Sequence, residues 1–168
     1  MPSLVAVCAA ALVACSTAQP SRTVTQTPMS HTLQVDEIQL ESNCFGCASG
    51  SVLNLHRDGR AELMSTGNAR FGTVDRMRRG RLGRPEFDAL VRLLVEEGFF
   101  ALAEVYEDPS IQDGAWAAVR VGRAGEVKQV WRRGDAAPPA LRRVEAAILA
   151  LQSRIAFDAD PLDRGTGK

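Results

Sequence analysis

A chain of 168 residues, 45% of them hydrophobic, has material for one domain and can bury a core without metal or a dense set of disulfides. Its 20 basic and 20 acidic residues leave no net charge, which removes the bulk electrostatic case for a nucleic-acid binder. The charges are unevenly spread: Arg70, Arg76, Arg78, Arg79, Arg81 and Arg84 meet one acid, Asp75, whereas residues 96–113 carry six acids and no base. Such runs are read either as solvated faces that match one another or, on the arginine segment, as a patch for an anionic partner such as lipid headgroups.

Residues 1–15 read as a lipoprotein signal peptide. Leu4 to Ala14 is an uncharged apolar run of eleven residues. That is the length of a signal-peptide core and too short for a bilayer, which needs about 20. It ends in Leu12-Val13-Ala14-Cys15, small residues before a cysteine, which resembles the lipobox of bacterial lipoproteins and makes Cys15 the expected lipidation site. Ser16 after the cysteine resembles lipoproteins passed on to the outer membrane, facing the periplasm. Residues 16–32, rich in Ser, Thr, Gln and Pro, are expected to form a disordered tether with a reach of roughly 20–25 Å. A single domain is expected over residues 33–157, with a polar tail at 158–168.

Within that domain Leu33, Val35, Ile38 and Leu40 alternate imperfectly with polar residues, and a first strand is expected there. Ser51 to Arg57 and Arg60 to Ser65 follow as strands around the Asp58-Gly59 turn. Phe71 to Met77 is a further candidate strand. Pro85 opens the clearest helix, with Phe87, Leu90, Val91, Leu94 and Val95 on one stripe and Gly98 at its end. Residues 104–114 read as an acidic loop. Ala115 to Gly122 and Glu126 to Arg132 form a hairpin with Trp116 and Trp131 near its open end. Pro138-Pro139 starts a last helix whose stripe runs through Leu141, Val144, Ile148, Leu151 and Ile155. The order ββ(β)αββα predicts an α+β fold, an antiparallel sheet with two helices on one face.

The stretch Asn43-Cys44-Phe45-Gly46-Cys47, the Asp58-Gly59 turn, the helix ending in Phe99-Phe100, Tyr106 followed by Asp113, and the closing hairpin and helix together resemble a bacterial, often lipid-anchored domain family of unknown function. Its signature is similar to Cys-Phe-Gly-x-Cys-Pro, shortened here to Cys-Phe-Gly-Cys with Ala48 in the place of proline. The resemblance implies the fold and an envelope location, and it brings no catalytic residues.

With Cys8 in the leader and Cys15 acylated, Cys44 and Cys47 remain as a pair in an oxidising compartment, where a structural disulfide is expected. The alternative is a thiol-disulfide redox protein or sensor using the same two cysteines, because two intervening residues is the spacing of such enzymes. Against it, the motif feeds a strand and so lacks the helix N-terminus that lowers a thiol pKa. Zinc needs four ligands; Cys44, Cys47 and His56 offer three and His31 lies in the tether, so no metal is expected. Neither a Gly-x-Ser-x-Gly elbow nor His-Glu-x-x-His is present, and no catalytic residue and no cofactor are expected. Trp116 and Trp131, with Arg76, Arg78, Arg79 and Arg81, form the candidate interaction surface; core packing is the other reading of the two tryptophans. The expected function is a lipid-anchored periplasmic binding or interaction domain without enzymatic activity. Its expected partners are the membrane, through the anchor, and a further component of the envelope.

Overall fold

The computed structural model describes residues 34–111 and 113–159, which belong to the compact unit Thr32–Lys168. Cys15, the tether, His31 and Leu33 lie outside the described residues, as does the tail beyond 159. The fold is α+β: a seven-stranded sheet in the order β4-β3-β2-β1-β6-β7-β5, with two helices on one face. Its strands are β1 (Val35–Cys44), β2 (Ser49–His56), β3 (Arg60–Gly67), β4 (Arg76–Arg81), β5 (Val105–Tyr106), β6 (Ala115–Arg123) and β7 (Glu126–Arg133). The helices are α1 (Arg84–Glu96) and α2 (Pro139–Gln152).

The sheet differs from the expected one in three ways. It is mixed, because β5 runs parallel to β7, with Val105 opposite Trp131, whereas the other pairs are antiparallel. It has seven strands where ββ(β)αββα provides at most five: four strands, not three, precede α1, and β5 forms inside the expected acidic loop, drawn to the sheet by the Trp131 amide donating to the Glu104 carbonyl at 2.8 Å. Finally, β4 starts at Arg76, not Phe71. Residues 69–71 form a 3-10 turn capped by the Asn68 side chain, which accepts from the Arg70 amide at 3.1 Å.

The imperfect alternation of the first strand has a structural cause. A register shift between Val35 and Glu37 lets Val35, Ile38 and Leu40 all face the core despite their odd spacing. On that face Leu40, Leu53 and Leu63 stand side by side across three strands, with Val119 and Val130 continuing the row. Phe87, Leu90, Val91 and Leu94 of α1 and Leu141, Val144, Ile148 and Leu151 of α2 cover it. Phe99, wholly buried, follows α1, and its ring meets Phe100 edge-on at 5.7 Å. The helix α2 ends at Gln152, and Ile155 packs from the turn beyond it.

Two features tie the periphery to this core. Glu145 of α2 is buried and takes a forked contact from Arg132, Nε at 2.8 Å and Nη2 at 2.8 Å, while Nη1 of the same arginine donates to the Gly134 carbonyl at 2.6 Å. Its hydrogen bond to the Glu145 carboxylate raises the Arg132 pKa above the ordinary arginine value. At the other edge, residues 155–157 cross β4 at Gly80, where a Cβ would stand 2.6 Å from the Ile155 side chain and 3.0 Å from the Ala156 carbonyl. Only glycine permits so close a crossing. Arg78 lies over the Phe157 ring at 5.6 Å, and the Arg79 amide donates to Asp158.

The helix-free face carries mixed polar and apolar side chains. Gln39 donates to Asn54 at 2.8 Å, and His56 stands between Glu37 at 3.5 Å and Glu62 at 3.8 Å. Across the strands Trp131, Ala118, Glu41, Val52, Met64 and Met77 form one row, in which Val52 and Ala118 are buried. Among the described residues no helix is long and apolar enough to cross a membrane.

Candidate functional site

The cysteine turn closes the β1–β2 connection. Cys44 and Cys47 lie at disulfide distance, with Cα atoms 5.3 Å apart, and the Cys47 amide donates to the Cys44 carbonyl at 3.3 Å. Gly46 supplies the left-handed backbone, φ 82°, that lets so short a loop reverse. This arrangement leaves Phe45 at the tip, 75% exposed. A large aromatic ring held in water by this tight turn gains nothing for the core.

A second turn is bonded to the first. The Asn68 amide nitrogen Nδ2 donates to the Cys47 carbonyl at 2.9 Å, and the Thr73 hydroxyl donates to the Ala48 carbonyl. Asp75 accepts from the Gly67 amide at 2.7 Å and fixes the return into β4. On the far side the Asp108 carboxylate is held below its ordinary range by the Ser110 hydroxyl and amide, which close a turn at residues 108–110. Arg133 Nη1 donates to the Ile111 carbonyl at 3.2 Å, and its guanidinium lies 5.2 Å from the Trp131 ring centre.

Between these segments opens a cleft of ≈ 450 Å³, lined by the aromatic residues Phe45, Phe71 and Trp116, by Cys44, Gly46 and Gly114, and by Asn43, Asn68, Arg70, Asp113 and Arg133. The volume lies within the range of small-molecule and short-peptide sites, and the lining combines ring faces with charged groups of both signs. No protein-family model matches the chain, and no curated protein is significantly similar to it. The cleft therefore stands on its own chemistry.

The sequence-derived candidates are divided by the fold. Trp116 reaches the cleft; Trp131 lies on the same helix-free face opposite Ala118, and both rings are half-buried, in neither the core nor full solvent. The β4 arginines alternate. Arg76 and Arg78 share a side with Gly80, the helix side, while Arg79 and Arg81 flank Glu62 and Arg60 on the other. Arg79 stands 3.8 Å from Glu62 yet keeps 72% of its side chain exposed. His56 lies at the opposite end of β2 from the cysteines, and no group of three or more metal-binding side chains converges among the described residues. No helix begins at the cysteine turn; α1 starts at Arg84.

Phe45, Phe71, Asn68 and Arg133 were not singled out from the sequence as site residues. The signal available for one of them was Asn68 followed by Gly72, a capped turn, which contradicts a strand from Phe71 and leaves that ring without a sheet face to pack on.

Proposed function

We propose that the chain is a lipid-anchored binding domain of the bacterial envelope, acylated at Cys15, held at the outer membrane facing the periplasm, and without enzymatic activity. It takes its partner at the cleft beside the cysteine turn. The observation that carries this reading is the aromatic cleft itself: a cross-linked turn presents Phe45 to solvent beside Phe71 and Trp116, with Arg70, Arg133 and Asp113 at hand. Aromatic and arginine side chains around a concavity are the residues that carry most of the energy of a binding surface. The Cys44–Cys47 pair then has a mechanical role, fixing the loop that carries Phe45. The resemblance to the lipid-anchored envelope family belongs to this proposal and rests on that motif with the Asp58-Gly59 turn.

Two experiments test it. Mass spectrometry of the protein from native membranes should find a chain beginning at acylated Cys15; an intact Met1 overturns the anchoring. A photoreactive side chain placed at Phe45 or Trp116 in living cells should give a discrete cross-linked product that is absent when it is placed at Val127, an exposed position away from the cleft. Equal labelling at all three positions overturns the binding reading. The redox alternative is favoured instead if Cys44→Ser with Cys47→Ser leaves the cross-link unchanged and produces a thiol-oxidation defect.

A further inference from the structure

We infer that the flank of this site, residues 70–81, docks on an anionic phospholipid bilayer surface. The inference deepens the proposed envelope location and rests on it. Among the described residues eight large hydrophobic side chains are strongly exposed, and three of them, Phe71 (47%), Val74 (58%) and Met77 (37%), fall within this one segment. Arg70, Arg79 and Arg81 are exposed along the same segment. The segment's own acid, Asp75, is engaged with the Gly67 amide; Arg76 and Arg78 turn to the helix side, and although Glu62 stands 3.8 Å from Arg79 and Asp158 accepts from its amide, the Arg79 side chain stays 72% exposed.

Arginines on an outer strand have a simpler explanation, since β4 is the edge of the sheet and charge there discourages pairing with another edge. That explanation accounts for Arg79 and Arg81 and leaves the apolar residues ahead of them without a reason, because exposed Val74 and Met77 would promote the contact that the arginines suppress. A bilayer interface accommodates both. Guanidinium groups bind lipid phosphates through paired N–H donors, while short apolar side chains and a phenyl ring enter the boundary between headgroups and acyl chains. Docking of the β4 edge also suits the expected tether. Val35 on β1 lies three strand spacings from that edge, about 14 Å, within the roughly 20–25 Å expected of residues 16–32.

The test uses the mature chain of the proposed processing, residues 15–168 carrying Cys15→Ser, so that neither an acyl group nor the apolar run Leu4–Ala14 can mask binding. Co-sedimentation is measured with vesicles containing phosphatidylglycerol and with vesicles of phosphatidylcholine alone, at low and high salt. The parent chain should partition onto the anionic vesicles at least about tenfold better than onto the neutral ones, and salt should weaken it. At about fivefold per basic residue, Arg79→Gln with Arg81→Gln should lower the partition coefficient about 25-fold. Val74→Ser with Met77→Ser, which leaves the cleft lining intact, should lower it about tenfold. Circular dichroism confirms that each variant is folded. Equal binding of parent and both double variants overturns the inference, as does equal affinity for the two vesicle types. Full competition by a millimolar excess of inorganic phosphate also overturns it and marks a single phosphate site. Failure of the anchor is read separately, from the mass of the mature chain, and failure of the cleft from the cross-links at Phe45 and Trp116.

Discussion

The pair between half-buried Arg132 and buried Glu145 should be costly to break from the arginine side. Glu145 keeps only 9% of its side chain exposed against 23% for Arg132, so removing the arginine strands the more deeply buried partner. Breaking a buried ion pair from one side costs about 3–5 kcal/mol. With roughly 3–5 °C of Tm per kcal/mol for a domain of this size, Arg132→Met should lower Tm by about 10–20 °C. The reverse change is milder: Glu145→Leu leaves Arg132 bonded to the Gly134 carbonyl and able to reach water, and should cost about 1–3 kcal/mol. Combining the two replaces the pair by apolar groups and should cost less than Arg132→Met alone. Urea unfolding of the four proteins gives the coupling energy directly. If Arg132→Met unfolds within 1 kcal/mol of the parent, or if the two single effects simply add, the contact is not a coupled buried pair and the reasoning fails.

Cys44→Ser with Cys47→Ser frees the loop that the expected disulfide would hold closed in the unfolded chain and should cost about 2 kcal/mol in urea unfolding, small because so short a loop carries little closure entropy. Gly80→Leu should eject residues 155–157 from β4, seen as faster amide exchange at 155–158 with the helices unaffected. The Glu97 carboxyl is held below its ordinary value of 4.5 by the hydrogen bond from Arg143. A depressed acid adds stability that is present above its unfolded pKa and is lost as pH falls through the folded one. Arg143→Met should therefore destabilise at neutral pH, and thermal melts of parent and variant should converge once the pH lies below the ordinary carboxylate range.

Much of the fold is legible in the residues themselves. The stripe Phe87, Leu90, Val91 and Leu94 fixes α1 because its period admits no strand, and the Asp58-Gly59 and Ala124-Gly125 turns fix the two hairpins. What escapes the sequence depends on distant partners. A two-residue strand such as Val105–Tyr106 carries no period of its own and exists because β7 offers it an edge. The cleft gathers residues from the cysteine turn, the Asn68 turn, the acidic loop and the β6–β7 ends, and no spacing along the chain announces that meeting. The arginine run shows the opposite limit. Its composition is plain, but the pleat sends Arg78 onto Phe157 and Arg79 toward Glu62, so one stretch of charge becomes two surfaces.

The central place of β1 bears on how the protein comes to be folded. Its one neighbour, β2, follows at once through the cysteine turn, but the other, β6, arrives only after α1, with Cys44 meeting Ala115 and Val35 meeting Arg123. Until then β1 to β4 can form a local meander whose leading edge is unpaired and whose apolar face has α1 but still lacks α2. Such long-range closure is slow relative to hairpin formation. In a chain that emerges N-terminus first, the interval before β6 docks is when the outer edge of β1 stays open to pairing with another chain.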